Sequence, residues 1–259
     1  MNWQKLYKEY WQEGSIVMRL LILHTFAYLL IGLTSWVCAL ITPLRWWDLG
    51  LSLSFYPEWD KVLYHPWSLV TYALPHLNFF HFFGNMCLVY ALLPVMAYRL
   101  GTRRFLWSYI GGIIAGALTY LLGYQLLGAQ IIPPLSLQGA SAAILSVCAA
   151  AVMVDRKILS SFTLRFTGNR IPPIALWGFL FLVFLGAGRG NLGGHLAHLG
   201  GLLFGITCGL YYRKQAKRPT SVFTSDREEL LRKTRHSSFS SLSPEERRRL
   251  LQHLPKDKN

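Results

Sequence analysis

The sequence predicts an all-α membrane protein: a six-transmembrane-helix bundle with a long interfacial first loop and a basic cytoplasmic tail. Of its 259 residues, 53% are hydrophobic and only 15% are charged, whereas a soluble domain carries about 25% charged residues. No Asp or Glu occurs from position 61 to 154 or from 156 to 225. Such stretches suit a bilayer, because a charge at its centre costs about 2.5–3.5 kcal/mol on insertion scales.

Six apolar segments are candidates for transmembrane helices. A helix needs about 20 apolar residues to cross a bilayer, or fewer where one end is sunk into protein. By number, the segments are residues 20–41, 78–97, 105–127, 141–154, 174–185 and 195–212. The fourth and fifth are the short ones.

The long loop between the first two segments, residues 42–77, is predicted to lie in the membrane interface. Aromatic belts form at this depth because rings with a polar edge suit the boundary between lipid and water. The aromatic residues of the loop include Trp46, Trp47, Phe55, Tyr56, Trp59 and Trp67.

The distribution of positive charge predicts the orientation of the bundle. The chain has 26 Lys and Arg residues, and with six spans all except Arg45, Lys61 and Arg189 fall on one side. Because Lys and Arg accumulate in cytoplasmic loops, both termini are predicted to be cytoplasmic. Five or seven spans would put the basic tail on the wrong side.

Three regions follow from this organisation: a cytoplasmic amino-terminal segment (1–19), the six-span domain (20–213) and a basic cytoplasmic tail (214–259). Within the tail, Ser243 and Glu246 have the spacing of a capping box, with Pro244 at the first helical position. A short helix is therefore predicted over 244–253. The positive charge of the tail suits anionic membrane lipid, with a plain solvated tail as the equal alternative.

Several classes of function fit this chain poorly. Its net charge of +14 could indicate nucleic acid, but the charge lies in the loops and tail of a membrane protein. No HExxH zinc motif is present, and the histidine pairs are too close together to grip a haem. A transporter would need ionisable residues along its path, whereas the predicted spans contain no Asp or Glu. We therefore expect no nucleic acid, no metal and no cofactor.

The cysteines do not indicate disulfides, because all four lie inside apolar segments and none lies in a loop. They are better explained as small buried apolar residues. Their positions are Cys38, Cys87, Cys148 and Cys208.

Polar residues inside the spans are the informative ones, because they are costly there. Ser141, Asn85 and His198 lie 14 or 15 residues from the charge at the cytoplasmic end of their segments, which is about 21–22 Å along a helix. Three segments thus bring a hydroxyl, an amide and an imidazole to one depth. His81 and His195 come out one turn higher.

These residue types predict nucleophilic catalysis. A serine hydroxyl attacks once a base takes its proton, and imidazole is the usual base. Ser141 would begin its helix, where unused N–H groups and the helix dipole favour negative charge. His198 has the matching depth, while His195 adjoins Gly193 and Gly194, where the chain is expected to leave the helix. With no carboxylate in any span, a Ser–His dyad is predicted rather than a triad.

Neighbouring residues are predicted to support the dyad. His81 and Asn85 are four residues apart on one helical face and can donate hydrogen bonds to an oxyanion. Gly201 and Gly205 lie on the same face as His198, and glycines there let another helix approach closely. The fourth segment offers small partners, namely Ala142, Ala143, Ala149, Ala150 and Ala151.

Three motifs occur in order on the second, fourth and sixth segments: His81-x-x-x-Asn85, Gly139-x-Ser141 and His198-x-x-Gly201-x-x-x-Gly205. With them, the chain resembles the rhomboid intramembrane serine proteases in their basic six-span bacterial form, over residues 20–212. The resemblance implies Ser141 as nucleophile and His198 as general base. It also implies that His81, Asn85 and the Ser141 backbone N–H stabilise the oxyanion. Gly139, Gly201 and Gly205 would give structural support.

The resemblance further implies a serine endopeptidase of the bacterial inner (plasma) membrane, with its active site open to the outer side. Its substrates would be single-pass transmembrane proteins that enter near the fifth segment. Leu145 and Ser68 depart from the common pattern, which has an aromatic residue and an arginine there. The alternative is a catalytically silent rhomboid-like protein that binds client transmembrane helices, and the presence of both Ser141 and His198 argues against it.

Overall fold

The computed structural model describes residues 15–41, 49–76, 78–156, 158, 164–166, 169–171, 191–217, 243 and 245–246. The chain divides into two compact units, Met1–Tyr211 and Tyr212–Asn259. The described helices, numbered in chain order, are α1 (Ile16–Ile41), α2 (Leu49–Leu53), α3 (Trp59–Tyr64), α4 (Ser68–Thr71), α5 (Phe79–Leu100), α6 (Thr102–Leu127), α7 (Ser141–Val154) and α8 (Leu192–Lys217).

Three of these helices, α1 (over Ile16–Cys38), α5 and α6, are long and apolar enough to cross a membrane. The shorter α7 is also apolar. These four and α8 lie at five of the six predicted segments. The bounds of α7 are the predicted ones, and the others differ from prediction by a few residues. The fifth predicted segment, 174–185, lies outside the described residues, so the count of six spans stays a prediction.

The outward face of α1 is apolar. Its large side chains are between 56% and 68% exposed at Phe26, Leu29, Leu33, Trp36 and Leu40. A contiguous apolar face of this size on a monomer marks contact with a membrane or a partner. Together with the length and hydropathy of the helices, it makes the chain an integral membrane protein.

The centre of the bundle is α7, of whose 14 residues ten are buried. Glycines of α6 allow this burial. A Cβ on Gly112 would collide with the side chain of Ser146, and one on Gly116 would lie 3.0 Å from that of Ala142. The α7 helix therefore touches α6 almost backbone to backbone.

Helix α8 packs on α7 in the same way, as the small residues predicted. A Cβ on any of three glycines of α8 would overlap a backbone carbonyl of α7, in the pairs Gly201 with Ala142, Gly205 with Ser146, and Gly209 with Ala150. Both series advance by four residues in the same direction, so the two helices run parallel.

The start of α8 differs from the prediction. The helix begins at Leu192, so Gly193 and Gly194 lie inside its first turn rather than at the point where the chain leaves it. Asn191 supplies the cap, since its Oδ1 accepts a hydrogen bond from Gly194 N–H at 2.9 Å. An Asn side chain at this position satisfies a donor that the helix leaves unused.

The first loop contains the short helices α2, α3 and α4. Two hydrogen bonds join α4 and its N-cap residue Trp67 to α2: Trp67 Nε1 donates to the Ser52 carbonyl at 3.0 Å, and Thr71 Oγ1 donates to the Leu53 carbonyl at 2.9 Å. These bonds hold two parts of the loop together, with Ser68 at the position where the resemblance implies an arginine. Trp59 and Trp67 are exposed.

Phe55 does not lie in the interface, contrary to the prediction. It is completely buried and exchanges two backbone hydrogen bonds with Leu137, at 3.2 and 2.8 Å. Its ring lies near the rings of Tyr72 and Tyr120. Composition alone could not separate an aromatic residue that faces lipid from one that fills the core. The bridge ties the first loop to the segment that leads into α7.

After α7, β1 (Leu164–Phe166) and β2 (Asn169–Ile171) form an antiparallel pair. Within the described residues this pair is the departure from an all-α fold, apart from the isolated bridge at Phe55. In the second unit, Ser243 and Glu246 form the predicted capping box, with reciprocal hydrogen bonds of 2.9 and 3.2 Å. Most of the predicted helix 244–253 lies outside the described residues.

Candidate active site

Ser141 is the first residue of α7. The first backbone hydrogen bond of this helix runs from Ile144 N–H to the Ala140 carbonyl at 3.1 Å. The N–H groups at the preceding positions, including that of Ser141, are therefore not used by the helix itself. These groups and the helix dipole make the start of α7 favourable for a negative charge.

The turn before Ser141 requires glycine. Gly139 has a φ of +104°, which side chains with a Cβ rarely adopt. A Cβ at this position would also lie 2.7 Å from Cε1 of His81. The turn is held by a hydrogen bond from Gly139 N–H to the Tyr72 carbonyl at 2.9 Å. Gly139 thus lets the ring of His81 approach the chain two residues before the serine.

Ser141 and His198 come together across the contact of α7 with α8. The distance from Ser141 Oγ to His198 Nε2 is 2.5 Å, although the residues are 57 positions apart in sequence. Both side chains are half-buried. A general base must lie within about 3.2 Å of the atom whose proton it takes, and this pair meets the requirement.

The packing of three helices sets this distance. Ala142 follows the serine and touches Gly201, which lies one turn after the histidine on α8. On the other side, Gly116 of α6 leaves room for both Ala142 and the Ala197 carbonyl, which would lie 3.0 and 3.1 Å from a Cβ placed there. Because backbones are in contact on both sides, neither the serine nor the histidine can shift far.

His81 and Asn85 lie in the first two turns of α5. Asn78 caps this helix by accepting a hydrogen bond from His81 N–H at 3.0 Å. The side chain of Asn85 is buried, and its Nδ2 donates to the His81 carbonyl at 2.9 Å. Because only the amide nitrogen can donate to a carbonyl, this bond fixes the orientation of the amide. The structure thus brings His81 to Gly139, while this bond of Asn85 stays within its own helix.

Two histidines that sequence reasoning did not assign to the site lie behind His81. The centroid of the His76 ring is 5.2 Å from that of His81, and the His24 ring of α1 is 6.0 Å from that of His76. His24 Nε2 also shares a hydrogen bond of 2.8 Å with the hydroxyl of Tyr109 on α6. An imidazole inside an apolar span indicates a functional residue. His24 was not assigned to the site because it lies far in sequence from the three motifs.

His76 lies just before α5 and is neutral. Burial lowers the pKa of His76 to about 3, with smaller contributions from His81 and His24, because loss of water disfavours the charged imidazolium. His76 Nδ1 donates to the Leu74 carbonyl at 3.0 Å. This bond fixes the tautomer, so Nε2 carries the lone pair.

A cleft of about 460 Å³ lies beside the site. Apolar residues of α1 line one wall, and His76, Asn78 and Gln138 lie on the other. Gln138 directly precedes the turn at Gly139, so the cleft reaches the chain just before the serine. Among the described residues, no group of three or more His, Cys, Asp or Glu side chains is arranged to hold a metal ion.

Comparison with models of protein families gives a match. The family model described as the Rhomboid domain matches residues 64–215, which is more than half of the chain. The matched range contains Ser141, His198, His81 and Asn85, but it begins after α1 and does not include His24. No curated protein matches the chain.

Proposed function

The chain belongs to the rhomboid family, and from this premise we propose that it is an intramembrane serine endopeptidase. Its substrates are single-pass membrane proteins, whose peptide bonds it hydrolyses in or near the transmembrane segment. The observation that carries the proposal is the hydrogen bond of 2.5 Å between Ser141 Oγ and His198 Nε2. A protein that only binds client helices would not need a serine hydroxyl hydrogen-bonded to an imidazole.

The chemistry follows from the dyad. Ser141 Oγ attacks the carbonyl carbon of the scissile bond while His198 Nε2 takes the hydroxyl proton. His198 then gives that proton to the leaving nitrogen, the C–N bond breaks, and the acyl group stays on Ser141 as an ester. A water molecule, deprotonated by His198, attacks the ester and releases the second product with the serine restored.

The oxyanion of each tetrahedral intermediate lies at the start of α7, where the backbone N–H of Ser141 is a donor. His81 and Asn85 supply side-chain donors. The contact of the His81 ring with Gly139 supports the role of His81. Asn85 gives one amide hydrogen to its own helix, and its amide has a second one for the oxyanion.

The reaction takes place within the bilayer, towards its outer side. The chain crosses the inner (plasma) membrane of a bacterium six times, with both termini in the cytoplasm. The distribution of Lys and Arg supports this orientation, and the apolar face of α1 supports direct contact with membrane lipid. Substrate helices arrive laterally from the lipid, in line with the family resemblance.

A cleavage assay in proteoliposomes tests the proposal. The purified protein is incubated with a panel of single-pass membrane proteins, and the products are separated by size. The unmodified protein should release fragments, and Ser141→Ala should release none. A fluorophosphonate should label Ser141. Mass spectrometry of the labelled peptide would identify the modified serine.

Ser146→Ala is a matched control on the same helix. It removes a buried hydroxyl that donates to the Ser108 carbonyl at 2.7 Å, and it leaves the dyad in place. This variant should still cleave and still take the label. Cleavage by Ser141→Ala, or a label on another serine, would refute the assignment. An unmodified protein that neither cleaves nor reacts would favour the silent alternative.

A further inference from the structure

A line of four side chains runs from α6 to the oxyanion side of the site. Tyr109, His24 and His76 are buried, and the half-buried His81 completes the line. A hydrogen bond of 2.8 Å links Tyr109 to His24. The rings of His24 and His76 then meet edge to face at 82°, and those of His76 and His81 at 64°.

Packing alone does not account for these residue types. Among the described residues, His24 Nδ1 and His76 Nε2 are buried without a hydrogen-bond partner. Buried polar atoms in this state are rare in proteins and call for an explanation. An apolar ring such as Phe would fill the same space without burying a polar nitrogen.

The two central members of the line, His24 and His76, are fixed in orientation. The hydroxyl of Tyr109 holds one edge of His24, and the Leu74 carbonyl holds Nδ1 of His76 at 3.0 Å. The His81 ring is then enclosed from two sides, by His76 and by the backbone at Gly139. A change at His24 would therefore reach His81 through a single intervening ring.

We infer that His24 is a positioning residue for the proposed proteolysis: held by Tyr109, it fixes His76, which keeps the His81 ring against Gly139. The inference rests on the proposed function and extends it to α1. This helix lies before residues 64–215, which match the Rhomboid domain, whereas Tyr109, His76 and His81 lie within them.

The test is a double-mutant cycle in the proteoliposome assay. Tyr109→Phe removes one hydroxyl and keeps the ring that stacks on Phe105, and His24→Phe removes the imidazole. Each should lower kcat about tenfold with KM unchanged, since a slightly misplaced catalytic group costs up to about a hundredfold. In a His81→Ala background, whose residual rate needs long incubations, the same changes should alter kcat by less than about twofold.

Tyr72→Phe is the matched control. It also removes one buried hydroxyl that bonds to α6, through the Ile113 carbonyl at 2.8 Å, but it lies outside the line of histidines. Its effect on kcat should be the same with or without His81, whatever its size. Melting temperatures in detergent show whether each variant is folded.

The outcomes separate the two proposals. A loss of kcat that disappears in the His81→Ala background supports the positioning role. No loss, a loss of equal size in both backgrounds, or a change in KM alone overturns that role, while cleavage by the unmodified protein leaves the protease assignment standing. If the unmodified protein does not cleave, the protease assignment fails and the positioning role fails with it.

Discussion

At the scale of single residues, the imidazole of His198 has no carboxylate on its own helix to orient it. The sequence has no Asp or Glu between positions 156 and 225, which include all of α8. In a triad, the acid holds the tautomer and the angle of the ring. Here the contact of Gly201 with Ala142 sets the position of the helix that carries His198.

The first prediction distinguishes the two histidines of α8. His198→Ala should lower the cleavage rate by about 10⁴-fold or more, because removal of the base in serine proteases costs at least that much. His195→Ala should lower it only several-fold, because His195 lies one turn, about 4.5 Å, before His198, towards the start of the helix. Cleavage rates at matched expression measure both. A complete loss confined to His195→Ala would reverse the assignment.

The second prediction concerns His81. Removing one oxyanion donor costs about 10²–10³-fold in kcat, so His81→Ala should show a loss of this size with KM nearly unchanged. The reason is that the hydrogen bond forms only as the oxyanion develops. Steady-state kinetics with one purified substrate measure both constants. A higher KM at normal kcat would instead make His81 a residue that binds the substrate.

At the scale of elements, the contact of α7 with α8 decides whether the dyad forms. Gly201 and Gly205 each face a backbone carbonyl that cannot move aside as a side chain could. Overpacking at such a contact costs about 1–3 kcal/mol. If a larger residue replaced either glycine, the helices would separate to relieve the overlap. The distance between Ser141 and His198 would then grow. In the proposed mechanism, the two glycines would therefore act on catalysis through geometry.

The third prediction tests this contact with a pair of matched changes. Gly201→Ala adds a methyl group where a Cβ would collide with the Ala142 carbonyl, whereas Gly84→Ala on α5 adds one where nothing lies within 4 Å. Gly201→Ala should lower cleavage about tenfold or more, since small misplacements of catalytic groups are costly, and Gly84→Ala should not. Equal activity of the two variants would show that α8 tolerates displacement at Gly201.

The elements that could be predicted were those with an apolar sequence over most of their length. Helices α1, α5, α6 and α7 follow from segments whose composition leaves few alternatives, and α7 has its predicted bounds. The burial of Phe55 and the line from His24 to His81 could not be predicted, because they depend on contacts between segments far apart in sequence. The meeting of Ser141 with His198 was predicted because depth along a helix can be counted.

At the scale of the whole molecule, charge and hydropathy act together. Three helices have mean hydropathy of 1.6 to 2.0 over a membrane-spanning window. Arg99 at the end of α5 pairs with Asp155 just after α7, at 3.1 Å. These ends lie at the same level, as they would if both faced the cytoplasm. An orientation with both ends at the outer face would move most Lys and Arg across the membrane, against the positive-inside rule.

The last prediction tests orientation and span number together. A fluorescent protein that folds in the cytoplasm, or a phosphatase active only outside it, is fused after Gly128, Arg170 or Asn259 in a bacterial host. With six spans, the first site is outside, so only the phosphatase works there. The other two are inside, because the four positive residues at 156–170 and the basic tail are retained. Phosphatase activity at Asn259 would require five or seven spans, and fluorescence at Gly128 would require the opposite orientation.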